Sequence, residues 1–111
     1  MKSYTDIEQS KKLAERLPLE SADMSYRPYR EEGGIPDYEA DLCPHRFASW
    51  SGFPCWSLAA LLDYLSANFR VTVKYLDNHW ELDCRVQIMY SKELVDACYE
   101  MVLKLHEQKI L

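Results

Sequence analysis

All five prolines (Pro18, Pro28, Pro36, Pro44, Pro54) and all three glycines (Gly33, Gly34, Gly52) lie between residues 18 and 54, and from Cys55 to Leu111 there is neither. Proline lacks a backbone donor and glycine is the least ordered residue, so both interrupt regular structure. The split predicts an irregular section over 18–53 followed by an unbroken run of helix and strand. A structureless loop of that length is rare in a compact fold, so part of it should be ordered. Tyr38-Glu39-Ala40-Asp41-Leu42 alternates apolar and acidic residues as a half-buried edge strand does. Glu31-Glu32-Gly33-Gly34 reads as an exposed turn.

The second half is organised around Pro54-Cys55-Trp56-Ser57-Leu58-Ala59-Ala60-Leu61-Leu62-Asp63-Tyr64-Leu65. Leu58, Leu61, Leu62 and Leu65 share one side of a helix, and Pro54 suits its first position. The spacing predicts a central helix over 54–67, closed at Asn68 in a left-handed conformation. A helix over 5–17 opens on the capping box Thr5-x-x-Glu8 and stops at Pro18. Arg70–Leu76, the turn signal Asp77-Asn78 and the same-parity set Trp80, Leu82, Cys84, Val86, Ile88 and Tyr90 predict a hairpin over 70–90. Its second arm is long enough to need a bulge or a bend. Leu94, Cys98, Met101, Val102 and Leu105 form the apolar stripe of a last helix over 92–108, with Ser91 as its cap and an apolar tail, Ile110-Leu111, tucked in. The expected fold is one α+β domain over 1–111, with three helices packed on one face of a small antiparallel hairpin or sheet.

With 111 residues, 48% of them hydrophobic, the chain can bury about two-thirds of its unfolded surface, so a disordered chain is excluded. No apolar run reaches the length of a membrane span, and Met1-Lys2-Ser3-Tyr4-Thr5-Asp6 has no signal-like apolar core, which predicts a cytoplasmic protein. The formal charge of −5 argues against nucleic acid or an anionic membrane as the main partner. Cys43, Cys55, Cys84 and Cys98 are too scattered for a disulfide scaffold and read as reduced thiols.

Three segments carry a resemblance. They are residues 4–24, from Tyr4-Thr5-Asp6-Ile7-Glu8-Gln9-Ser10-Lys11-Lys12-Leu13-Ala14 to Leu19-Glu20-Ser21-Ala22-Asp23-Met24; residues 54–62; and residues 95–107, with Val95-Asp96-Ala97-Cys98-Tyr99-Glu100-Met101. Together, about half of the chain, they resemble a family of small uncharacterised proteins from gut anaerobic bacteria and their phages or mobile elements. The resemblance implies a bacterial origin in such an element, with no catalytic residue to carry over.

Cys55, at the expected start of the central helix, has the environment that lowers a thiol pKa, but no base or second thiol lies near it in sequence. The plain alternative is a small residue filling the core. Cys43-Pro44-His45, with His79, Cys84, Cys98 and His106 elsewhere, fits no zinc spacing, so neither metal nor cofactor is expected. Asp37, Glu39 and Asp41, like Asp96 and Glu100, read as solvated surface.

Half of the chain's aromatic residues, Tyr26, Tyr29, Tyr38, Phe47, Trp50, Phe53 and Trp56, crowd the front section. They either glue it to the core or, if exposed, anchor a protein partner. The function expected is a non-enzymatic protein-interaction or accessory protein, with Tyr26, Tyr29, Phe47, Trp50 and Phe53 as its docking surface and a homodimer as one occupant. The alternatives are a small thiol-dependent enzyme or redox protein using Cys55, and an acidic inhibitor of a DNA-binding protein.

Overall fold

The computed structural model describes residues 1–32, 35–41 and 52–110, without the side chains of residues 29–32 and 35–37. In chain order they form α1 (Ile7–Ala14), a single 3-10 turn (Leu19–Ser21), β1 (Met24–Glu32), β2 (Ile35–Asp41), β3 (Phe53–Cys55), α2 (Leu58–Asn68), β4 (Thr72–Leu76), β5 (His79–Asp83), β6 (Ile88–Ser91) and α3 (Leu94–Glu107). The strands make two antiparallel sheets, ordered β2-β1-β3 and β4-β5-β6. The molecule is a mixed α+β fold, as expected, but with two sheets where one was foreseen.

The described part of the front section is thus mostly sheet, and Pro28, Pro36 and Pro54, which argued against one, sit where a sheet tolerates them, while Gly33, Gly34 and Pro44 lie outside the described residues. Pro36 and Pro54 lie on the edge strands β2 and β3. Pro28 lies on β1 beyond the reach of β3, which pairs only with Met24–Tyr26. Each can therefore lack an N–H without breaking a ladder on both sides. The β1–β2 register shifts between Pro28 and Arg30, a bulge of the kind proline favours. Arg27 pairs with Asp41 across the two strands at 3.0 Å.

The first helix is shorter than the expected 5–17, ending at Ala14, and its N-cap lies one residue later than expected. Asp6 is the N-cap, accepting from the Gln9 N–H at 2.8 Å, while the Gln9 side chain accepts from the Asp6 N–H at 3.1 Å. Two overlapping sequences, Thr5-x-x-Glu8 and Asp6-x-x-Gln9, both fit a capping box. The second wins because Thr5 is engaged elsewhere. It is fully buried, its hydroxyl accepts from the Trp56 N–H at 3.2 Å, and its own N–H donates to the Trp56 carbonyl at 2.9 Å. Leu58 N–H donates to the Ser3 carbonyl at 2.9 Å, so residues 3–5 run antiparallel to the entry of α2.

The same contacts move the start of the central helix from Pro54 to Leu58. Pro54 and Cys55 are extended, and Ser57 is the N-cap, accepting from the Ala60 N–H at 3.1 Å. Asp23 braces that cap, accepting from both the N–H and the hydroxyl of Ser57. At the other end Asn68 remains helical and Phe69 is the C-cap in extended conformation, so no left-handed residue closes α2.

The turn Asp77-Asn78 is as expected, with φ of 51° and 67°, the left-handed pair of a type I′ hairpin. The long second arm is instead two strands. Cys84 N–H donates to the Gln87 carbonyl at 3.0 Å, and Arg85 takes φ of 70° with its N–H on the Asp83 carboxylate at 2.7 Å. This turn reverses the chain and inverts its parity. Trp80, Leu82 and Cys84 face the helices, but beyond it Met89 faces in and Val86, Ile88 and Tyr90 face out.

Helix α3 buries Leu94, Val95, Ala97, Cys98, Tyr99, Met101, Val102 and Leu105 against β5, β6 and α2. Its N-cap is Glu93 in place of Ser91, which only accepts from the Glu93 N–H at 3.3 Å. Ile110 is exposed and not tucked in. The main core joins these residues to Leu13, Leu17, Trp56, Leu61, Leu65, Leu82 and Cys84, while Met24, Tyr26 and Cys55 form a smaller second one.

Of the four leucines on α2, Leu61 and Leu65 are fully buried and Leu58 and Leu62 only partly. Leu61→Ala should therefore cost about 2–5 kcal/mol and Leu62→Ala clearly less, read as urea midpoints at constant m. Equal losses would mean that the two share the core alike.

Candidate interaction surface

The front aromatics that the structure describes are packed against one another. Tyr26 is 7% exposed and donates its hydroxyl proton to the Thr5 carbonyl at 2.8 Å. Its ring lies 5.4 Å from Phe53, which in turn is 5.1 Å from Tyr38, and Lys11 Nζ stands 5.2 Å over the Phe53 ring. Trp56 is fully buried, its indole N–H on Ser21 Oγ at 2.9 Å. Tyr26 is thus a core residue, in place of the exposed anchor expected of it, and Phe53 is half-buried. Phe47, Trp50 and the side chain of Tyr29 lie outside the described residues.

Cys55 is on a strand, where a helix N-terminus was expected, and is fully buried. Burial raises its pKa, which hydrogen bonding to Thr5 and Ser10 only partly offsets. Its polar neighbours are the Thr5 carbonyl, to which the thiol donates at 3.6 Å, and Thr5 Oγ1, also at 3.6 Å and itself 2.7 Å from Ser10 Oγ. No imidazole or carboxylate contacts the sulfur among the described residues. Burial likewise raises Cys84, and pushes Cys98 up to about 12. Three protonated, enclosed thiols are poor nucleophiles. In a Cys43→Ser variant, Ellman's reagent should therefore find no fast thiol in the native protein and all of Cys55, Cys84 and Cys98 after denaturation. A fast native thiol would mean that one of them reaches solvent.

Among the described residues no group of three His, Cys, Asp or Glu side chains could hold a metal ion; Cys43 and His45 lie outside them. No described helix is long and apolar enough to cross a membrane. Asp96, expected to be plain surface, anchors the N-terminus: Lys2 Nζ donates to it at 2.7 Å and Gln9 Nε2 at 2.8 Å. Burial would raise its pKa, but those hydrogen bonds outweigh it and hold the carboxyl below its ordinary value.

A shallow cleft of about 580 Å³ is lined by Glu15, Arg16, Leu103, His106 and Glu107. Burial, then the Arg16 charge, lowers the His106 pKa from 6.5, and its Nε2 is buried with no partner among the described residues. A histidine held neutral in the fold binds its proton more readily when unfolded. Its stabilising effect is therefore complete above pH 6.5 and lost as the pH falls through the lower, folded value. His106→Leu should raise stability at pH 7 by about 1 kcal/mol, since it removes an unsatisfied buried nitrogen. It should also flatten the loss between pH 7 and 5, measured by urea unfolding; an unchanged slope would put the titration elsewhere.

What the structure does expose is the second sheet. Cross-strand register places Val73, Leu82 and Met89, with Tyr75, Trp80 and Ser91, on the side of α3. Thr72, Asp83 and Ile88, with Lys74, Glu81 and Tyr90, and Leu76 opposite His79, take the outer face. Every residue of β4 is exposed, on both faces. Tyr75 (55%), Leu76 (56%), Val86 (54%) and Tyr90 (61%) are large apolar groups in water, joined by Val73 and Ile88. Tyr75 leans on Trp80 at 4.9 Å, and Tyr90 meets the His79 ring edge-on at 5.7 Å. Sequence reading missed this surface because it carried one parity through the turn at 84–87, which put Val86, Ile88 and Tyr90 inside.

Comparison with protein-family models, with curated proteins and with solved structures finds no match to this chain.

Proposed function

We propose that this protein is a small non-enzymatic interaction module of the cytoplasm, with a protein partner docking on its C-terminal sheet. The observation that supports the reading is the gathering of Val73, Tyr75, Leu76, Val86, Ile88 and Tyr90, all exposed, on that one sheet. They fall on both faces of the sheet, Val73 and Tyr75 on the side of α3 and Leu76, Ile88 and Tyr90 on the outer one, and so many large exposed apolar groups on one small sheet mark it as a surface for a partner. In place of three helices on one sheet face, α3 packs on the inner side of this sheet while α1 packs on β3 of the front sheet, and the outer face and the β4 edge are left to the partner. The resemblance to small proteins of bacterial mobile elements agrees with an accessory role and adds no chemistry. A thiol-dependent enzyme finds little support in a buried Cys55 whose polar neighbours are a carbonyl and hydroxyls. An acidic antagonist of a DNA-binding protein would dock through carboxylates, and this sheet carries only Glu81 and Asp83 among exposed Tyr75, Leu76, Ile88 and Tyr90.

An exposed side chain adds to a complex and little to the fold, which gives the test. Tyr75→Ser combined with Tyr90→Ser should lower the melting temperature by only a few degrees, within the range of strand propensity. The same protein should lose the partner that the parent retains from native lysate, while Glu39→Ala on the front sheet keeps it. A double variant that retains the parent's partner overturns the reading.

A further inference from the structure

Which groups of β4 point outward is fixed by its turn. A two-residue turn joins Leu76 to His79, and the pair flanking such a turn is the hydrogen-bonded one. Leu76, Lys74 and Thr72 therefore direct N–H and C=O toward β5, and Val73 and Tyr75 direct theirs away from it. Beyond β4 the sheet has no further strand among the described residues. Five residues of flat edge thus present two donors and two acceptors, with Val73 and Tyr75 side chains on the helix side and Lys74 on the other. Natural edges are usually blunted by proline, a bulge or inward charge. This one has only Lys74, which forms no ion pair among the described residues although Glu81 lies across from it.

Resting on the module reading above, we propose that the β4 edge is completed by one extended segment of a partner protein, added antiparallel, with apolar residues opposite Val73 and Tyr75 and an acidic residue opposite Lys74. The position opposite Lys74 is a non-hydrogen-bonded pair, where Cα atoms approach to about 4.5 Å and charges interact most closely. The same geometry disfavours a second copy of this chain. The two-fold register that engages both outward residues of each strand sets Lys74 against its own counterpart, and like charges directly opposite repel. Sliding by two residues sets Val73 against Asp77 in one direction, and in the other leaves Val73 against itself as the one outward pair within β4. Lys74 thus selects against self-pairing and for a negatively charged strand, as a specificity element should.

The probe is the labelled peptide Ser-Thr-Ile-Glu-Val-Thr-Ser, beside a second peptide with lysine in place of glutamate, titrated into the full chain by fluorescence anisotropy. The acidic peptide should bind the parent saturably, at least about fivefold more tightly than the lysine peptide, and Lys74→Glu should reverse the order. Val73→Pro removes an outward N–H that β5 does not use, a substitution an edge strand accepts, and should abolish binding with the fold intact by circular dichroism. In the complex, hydrogen exchange should slow at the Val73 and Tyr75 amides. If Val73→Pro fails to fold, the charge reversal alone decides.

Failure of the parent to bind either peptide, equal binding by folded Val73→Pro, or no reversal with Lys74→Glu overturns the proposal. So does a concentration-dependent dimer of the parent, seen by sedimentation and abolished by Val73→Pro, which would give the edge to a second copy. If the paired tyrosine substitutions release the lysate partner while Val73→Pro and Lys74→Glu keep it, strand addition fails and the module reading stands. Retention by all of them removes both.

Discussion

The extended stretch Phe53–Ser57 holds this molecule together. Neighbouring side chains on an extended backbone point in opposite directions, so Cys55 enters the small core while Trp56, next in the chain, enters the large one. One residue further on, Ser57 starts α2. Trp56 is the largest fully buried side chain among the described residues. Its backbone is clamped from both sides by Thr5, whose N–H donates to the Trp56 carbonyl and whose hydroxyl accepts from the Trp56 N–H. A buried indole needs a partner for its single donor, and Ser21 supplies it from the turn before β1. Three parts of the chain distant in sequence are thus fixed in place around residues 55–57.

That arrangement decides which surface is left over. The N-terminal segment, the entry of α2 and the first strand are used up on one another, and the described rings of the front sheet are drawn into the same packing. Lys2 adds a further tether, with its N–H on the Glu93 carboxylate at 2.9 Å and its ammonium on Asp96. Among the described residues the second sheet has helix on its inner side only. Helix α3 packs on β5 and β6, every residue of β4 is exposed, and among the described residues 73–76 are where exposed backbone and exposed apolar side chains coincide.

Much of the fold was legible in the sequence where a local rule acts alone. The stripe of α3, the Asp77-Asn78 turn and the leucine face of α2 each follow from periodicity or turn chemistry within a dozen residues. Failures came where two local rules competed or where a distant partner chose between them. Thr5 was the cap expected from the sequence, and Asp6 takes that place because Trp56 claims Thr5. Pro54 suited a helix start until β1 claimed it as an edge strand. Prolines at 28, 36 and 54 spoke for irregular structure only while the strand order was unknown, since an edge position excuses the missing donor. The candidate surface was illegible for a narrower reason: four residues at 84–87 reverse the chain, and the periodicity of a single strand cannot be carried through a reversal.

The two cores are unequal, and cooperativity in proteins follows such boundaries. Sixteen buried side chains make up the larger core among the described residues, and three the smaller. The front sheet has a hold on the remainder mainly through Cys55, Tyr26 and the Thr5 carbonyl. Amide protons of β1 and β2 that pair with one another should therefore exchange through a partial opening that leaves α2, α3 and the second sheet assembled. The chain folds as a large unit carrying a smaller one, and the binding edge belongs to the unit that opens last.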